Sequence, residues 1–187
     1  MFKKQKAFTL IELLVTVTVV GVVIGLAVPS FNSQILNNKS VALGEDFVTA
    51  VNFVRSEAVK RRARVSLCAS GDGTTCVAGT NGWRDGFIAV VDYAVTDSAA
   101  APVLTDSAHP VSTILRVWKK QDDNAVITVT QGGNTTFLRY TALGTLARVS
   151  ANQVIITSQL AHCTNSAART ITVGLSGLVS VAKTPCL

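Results

Sequence analysis

Glu12 is the one charged residue in the 21-residue run from Phe8 to Val28, FTLIELLVTVTVVGVVIGLAV. In a bilayer such a carboxylate costs about 2.5–3.5 kcal/mol on insertion scales, so it marks a functional position with a partner. Four cysteines, Cys68, Cys76, Cys163 and Cys186, all follow that run. An even number in an oxidising compartment points to disulfides, and four cysteines allow three pairings. Cys68 with Cys76 and Cys163 with Cys186 is preferred, because Gly71-Asp72-Gly73 can turn the chain between the first two. Metal is a poor alternative: there is no Cys-x-x-Cys, and only His109 and His162 could assist. Arg55, Lys60, Arg61, Arg62 and Arg64 make a basic cluster. Such a cluster is a solvated face or a contact for acidic neighbours or phosphates. Catalysis finds no foothold. His109 precedes Pro110 in a polar loop, and His162 adjoins Cys163. No serine lies in Gly-x-Ser-x-Gly, and Gly71-Asp72-Gly73-Thr74-Thr75 lacks the lysine of a phosphate loop. No catalytic residue, cofactor or metal is expected.

The elements that position these residues begin with the apolar run. As a helix it covers roughly 30 Å, the thickness of a bilayer core. Lys3, Lys4 and Lys6 precede it and no cation follows until Lys39, which leaves the N-terminus cytoplasmic and sends the rest across. A cleaved secretory signal fits badly, since the run is too long and Ala27-Val28-Pro29 is a poor cleavage site. A plain signal anchor leaves Glu12 unexplained. Beyond Pro29, apolar residues recur at Leu36, Leu43, Phe47, Val51, Val54 and Ala58, the stripe of an amphipathic helix over 30–63. One long helix results, bent or loosened near Gly25 to Pro29.

From residue 64 the pattern is β. Strands are expected at 64–69, 83–92, 111–118, 125–130, 135–140, 154–158, 169–173 and 178–182. Gly132-Gly133-Asn134 would join 125–130 and 135–140 as a hairpin, and Tyr93 to Pro110 reads as a long exposed loop. The fold class is α+β, a long N-terminal helix on an antiparallel domain spanning 64–187. With 187 residues the chain holds one soluble domain besides the membrane segment. The formal charge is +6, but three of its 17 basic residues lie in the first seven positions. The basic balance is therefore weak ground for a nucleic acid partner.

Lys6-Ala7-Phe8-Thr9-Leu10-Ile11-Glu12-Leu13-Leu14 resembles the class III leader of type IV pilins and type II secretion pseudopilins. The resemblance implies a leader over 1–7, cleavage between Ala7 and Phe8 by prepilin peptidase, and N-methylation of Phe8. It implies a transmembrane and assembly helix over 8–29. Glu12 would neutralise a neighbouring subunit's terminal amine, and Pro29 would stand where many pilins bend. The family usually has glycine where Ala7 stands, which bears on the rate of cutting. Asn52-Phe53-Val54-Arg55-Ser56-Glu57-Ala58-Val59-Lys60-Arg61-Arg62, then Gly82-Trp83-Arg84-Asp85-Gly86-Phe87, are similar to the GspH/FimT branch of minor pilins. Two cysteine pairs favour a FimU-like member of it. The resemblance implies a subunit that primes or joins the tip complex of a type IV pilus, serving twitching and adhesion. Its expected partners are other major and minor pilins. It would sit in the bacterial inner membrane with a periplasmic domain, then in the pilus. The alternatives are a minor pseudopilin of a type II secretion system and a DNA-binding pilin for transformation. Against the last, the Gly-Arg-x-Arg of DNA-binding relatives corresponds here to Gly177-Leu178-Val179-Ser180, without either arginine.

Overall fold

A computed structural model of the chain describes residues 8–77, 82–133, 136–147 and 152–187, and only the backbone of 26–30. Ala7, Asn81, Asn134 and Arg148 lie outside the described residues. The chain divides into two compact units, Met1–Ile35 and Leu36–Leu187. Helix α1, Leu10–Arg61, is continuous through Pro29.

In the first unit, the large apolar side chains from Leu10 to Ile24 are exposed. Two threonines in this stretch satisfy their hydroxyls on the helix backbone. Thr16 donates to the Leu13 carbonyl at 2.8 Å and Thr18 to that of Val15 at 2.8 Å. Among the described residues no helix is long and apolar enough to cross a membrane. The expected span over 8–29 runs on into 26–30, whose side chains lie outside the described ones.

In the second unit α1 lays one stripe on two four-stranded antiparallel sheets. Leu43, Phe47, Ala50, Val51, Val54 and Ala58 are buried, and Leu36 packs at the edge of the same core. Each fully buried apolar side chain of this kind stabilises by roughly 1.5–3 kcal/mol. The strands are β1 (Val65–Ala69), β2 (Phe87–Val91), β3 (Ile114–Trp118), β4 (Ala125–Thr130), β5 (Phe137–Tyr140), β6 (Val154–Leu160), β7 (Ala168–Val173) and β8 (Val179–Thr184). The first sheet runs β3-β2-β1-β5 and the second β4-β6-β7-β8. In the first sheet β1, β2 and β5 are buried on both faces, while the edge strand β3 is only partly covered. Val65 and Leu67 point to α1, while Cys68, Ile88, Val90 and Phe137 form a second small core on the far side.

Two expectations are corrected. The strand over 83–92 begins only at Phe87, because Gly82–Asp85 is a 3-10 turn and Gly86 has φ 131°. A Cβ at Gly86 would stand 2.8 Å from the carbonyls of Ser70 and Trp118, so glycine is required there. The hairpin between 125–130 and 135–140 does not form. Strand β4 pairs with β6, and β5 pairs with β1 in the other sheet. The change of sheet places Leu138 and Tyr140 in the main core and delivers Arg139 to Asp92 at the end of β2.

Candidate functional site

The N-terminal end of α1 is built by Thr9 and Glu12. Thr9 Oγ1 accepts the Glu12 backbone N–H at 3.3 Å, and Glu12 Oε2 accepts the Thr9 backbone N–H at 3.4 Å and the Thr9 hydroxyl at 3.3 Å. This is a capping box, Thr-x-x-Glu, and it satisfies two of the helix's unpaired amides. Glu12 is thus engaged inside its own subunit by Thr9, as half of a cap that the leader resemblance does not imply. The signal was present in Thr9-Leu10-Ile11-Glu12.

Disulfides join Cys68 to Cys76 and Cys163 to Cys186. The first closes a loop organised by Asp72. Its carboxylate accepts the amides of Thr74 and Thr75, each at 2.8 Å, and the Thr75 hydroxyl at 2.7 Å. The Thr75 amide, then that of Thr74, hold the Asp72 carboxyl far below its ordinary range. The second disulfide ties the β6–β7 connection to the C-terminal segment, where the Cys186 amide donates to the Asn165 carbonyl at 3.0 Å.

Arg139 and Asp92 form an ion pair, 2.7 Å from Nε to Oδ2, and both side chains are fully buried. Ser66 adds a hydroxyl donor to Oδ2, and the amides of Ala94 and Val103 donate to Oδ1. The guanidinium also donates to the carbonyls of Asp97, Ala99 and Ala101. The segment after β2 is therefore not simply an exposed loop. It is stitched by its backbone to Arg139 across the outer face of the first sheet. Farther along it, His109 is bonded to Asp106 at 2.9 Å and stacked on Tyr93 at 4.2 Å.

The five cations expected to share a patch are divided. Arg64 is bonded to Asp97 and to the Ala94 carbonyl, which takes it into the loop. Lys60 and Arg61 share Glu57, at 3.4 and 2.7 Å, and the hydrogen bond from Arg61 holds the Glu57 carboxyl below its usual value. Arg55 Nε donates to the neutral Gly144 carbonyl at 3.0 Å. Arg62 has φ 52°, with its amide bonded to the Val59 carbonyl and that of Ala63 to the Ala58 carbonyl. These bonds make a Schellman cap with arginine where glycine is usual. Sequence reasoning missed the apolar residues alongside. Val59, Leu143, Leu175 and Leu178 are 50, 84, 42 and 62% exposed. Gly177, at φ 80°, holds this corner together: a Cβ there would meet the Gly144 carbonyl at 2.0 Å, and its own carbonyl accepts the Tyr140 hydroxyl.

Residues 43–177, from the buried half of α1 to the turn at Gly177, match the profile of the family described as type II transport protein GspH. The chain belongs to the GspH family. Residues 2–28 of this GspH-family chain match the prokaryotic N-terminal methylation motif. The fold agrees with a crystal structure of the type IV minor pilin FimU from Pseudomonas aeruginosa. The TM-score is 0.52 at 19% identity, over 78% of this chain and 89% of that one. A second crystal form of FimU aligns with TM-score 0.49 at 18% identity, over 75% and 90% of the two chains. No curated protein matches the chain. At such identities the likeness to FimU is one of fold, a long helix packed on antiparallel sheets.

Proposed function

We propose that this chain is a minor pilin, a structural subunit that primes or joins the tip complex of a type IV pilus. The observation that carries the reading is the N-terminal segment. A methylation motif over residues 2–28 overlaps an apolar helix start whose single acid is Glu12. The fold shared with FimU supports the pilus reading, and FimU's role as a type IV minor pilin is carried here as a proposal. On this reading prepilin peptidase cuts between Ala7 and Phe8, Phe8 is N-methylated, and residues 8–29 anchor the subunit in the inner membrane. Glu12 then exchanges its intrasubunit cap for a neighbour's terminal ammonium. This reading assigns no catalytic role to either histidine: His109 stacks on Tyr93, and His162 lies at φ 65° beside Cys163. A second reading, a type II secretion minor pseudopilin, rests on the family's own description.

The cap and the charge of Glu12 can be separated. Glutamine at N3 preserves a capping box but cannot neutralise an ammonium. Mass spectrometry of the membrane-extracted chain should show a methylated Phe8 terminus. Glu12→Gln and Glu12→Val should both reach the membrane and both be missing from sheared filaments. An intact Met1 terminus, or normal incorporation of Glu12→Gln, overturns the reading.

A further inference from the structure

We infer that the C-terminal end of α1, with the loop at Leu143 and the turn at Leu175–Leu178, is the surface through which this subunit takes a carboxylate-bearing face of another pilin. The inference rests on the assembly reading above and adds where contact is made and by what chemistry.

Charge is the first ground. Outside residues 1–7 the chain has 14 basic and 11 acidic residues, an excess of three. The cluster of Arg55, Lys60, Arg61, Arg62 and Arg64 meets two carboxylates, Glu57 and Asp97. It therefore holds the whole excess, and the nine basic and nine acidic residues elsewhere in the sequence cancel. Arg55 spends its Nε on a neutral carbonyl, and one glutamate serves both Lys60 and Arg61. Among the described residues no hydrogen bond or ion pair reaches the Arg62 side chain. A surface with this surplus attracts an anionic partner and disfavours a cationic one.

The backbone is the second ground. Arg62 occupies the left-handed position that ends the helix, at φ 52°. Glycine relieves the strain there, so a cation is kept at a conformational cost, as at positions held for function. The third ground selects protein over nucleic acid. Exposed Val59, Leu143 and Leu178 adjoin the cations through Gly144, whose Cβ position lies 2.7 Å from Val59 and whose carbonyl abuts Gly177. Phosphates make no use of such side chains, and among the described residues no exposed aromatic ring stands here for a base to stack on, Tyr140 being fully buried. An apolar centre rimmed by arginine suits a protein interface.

The test uses the full chain in piliated cells, read as the ratio of subunit in sheared filaments to subunit in membranes. Lys60→Glu with Arg62→Glu, and separately Leu143→Asp, should lower that ratio about tenfold. Lys119→Glu with Lys120→Glu makes the same charge change elsewhere and should leave it unaltered. Arg62→Gly relaxes the backbone, so its own smaller drop, at an undiminished membrane level, cannot come from unfolding. A benzophenone side chain at position 143 should cross-link to another pilin at a peptide containing Asp or Glu. Ratios within about twofold of wild type for both disruptive variants overturn the inference, since a rim charge or apolar centre in use would cost more. A nuclease-sensitive adduct, or an adduct to a second copy of this chain, overturns it too. Absence of the wild-type chain from filaments is a different result and sinks the assembly reading itself.

Discussion

At the scale of single residues, the fold depends most on a pair that carries no motif. Asp92 closes β2 and Arg139 sits third in β5, 47 positions apart in sequence, and each is buried only because the other is there. Neither residue was legible as a pair: a strand-end aspartate reads as a turn and an arginine between Leu138 and Tyr140 as the solvent face of a strand. Removing one partner of a buried pair costs about 3–5 kcal/mol, because the survivor keeps its desolvation without its counter-charge. Arg139→Met should therefore lower the midpoint of thermal unfolding of the detergent-solubilised chain by many degrees. It should also open residues 97–101 to protease, since their carbonyls lose their donors. A surface arginine in a pair, such as Arg84 with Asp85, should change the midpoint little when replaced. Equal effects at the two sites would mean that Arg139 only fills space.

At the scale of elements, what was legible was local. The helical stripe from Leu43 to Ala58 can be read from intervals of three and four, with Leu36 seven positions earlier, and all of it but Leu36 is buried. Strand positions were legible too, within a few residues, wherever alternation met turn residues. Pairing was not, because it depends on partners far along the chain: Phe137–Tyr140 follows a glycine-rich stretch yet joins β1. The loop closed by Cys68 and Cys76 is local again, and its behaviour with pH follows from Asp72. Its carboxyl is depressed in the folded chain, so the stabilisation is complete above the ordinary aspartate range, near 4, and is lost only as pH falls through the lower folded value. The Thr74 and Thr75 amide resonances should accordingly stay in their hydrogen-bonded positions well below pH 4. They should move at neutral pH in Asp72→Ala. Titration of both amides near pH 4 in the wild type would show that the loop does not hold the carboxylate.

At the scale of the whole molecule, the same two features serve two machines. On the proposed reading, a helix start that carries the methylation motif and Glu12 lets subunits stack, and the strand-rich domain of the GspH family gives each subunit its outer surface. Neither property says which filament is built, since pilus and secretion system both stack such helices. That choice lies in partner surfaces, and a partner surface is assembled from residues far apart: Arg62 and Leu143 line one surface hollow, and the Gly177 turn abuts the Gly144 carbonyl beside it. The sequence read alone showed the cations of the cluster but not its leucines. The physiological choice can be forced by deletion. A strain lacking this chain should lose surface pili and twitching while its type II exoproteins still reach the medium. Complementation with the wild-type gene should restore both piliation and motility, whereas Glu12→Gln should restore neither. Loss of exoprotein release with pili intact assigns the chain to the secretion filament instead. In that outcome the cationic end of α1 faces a pseudopilin, and the same charge-reversal variants should be scored by secretion.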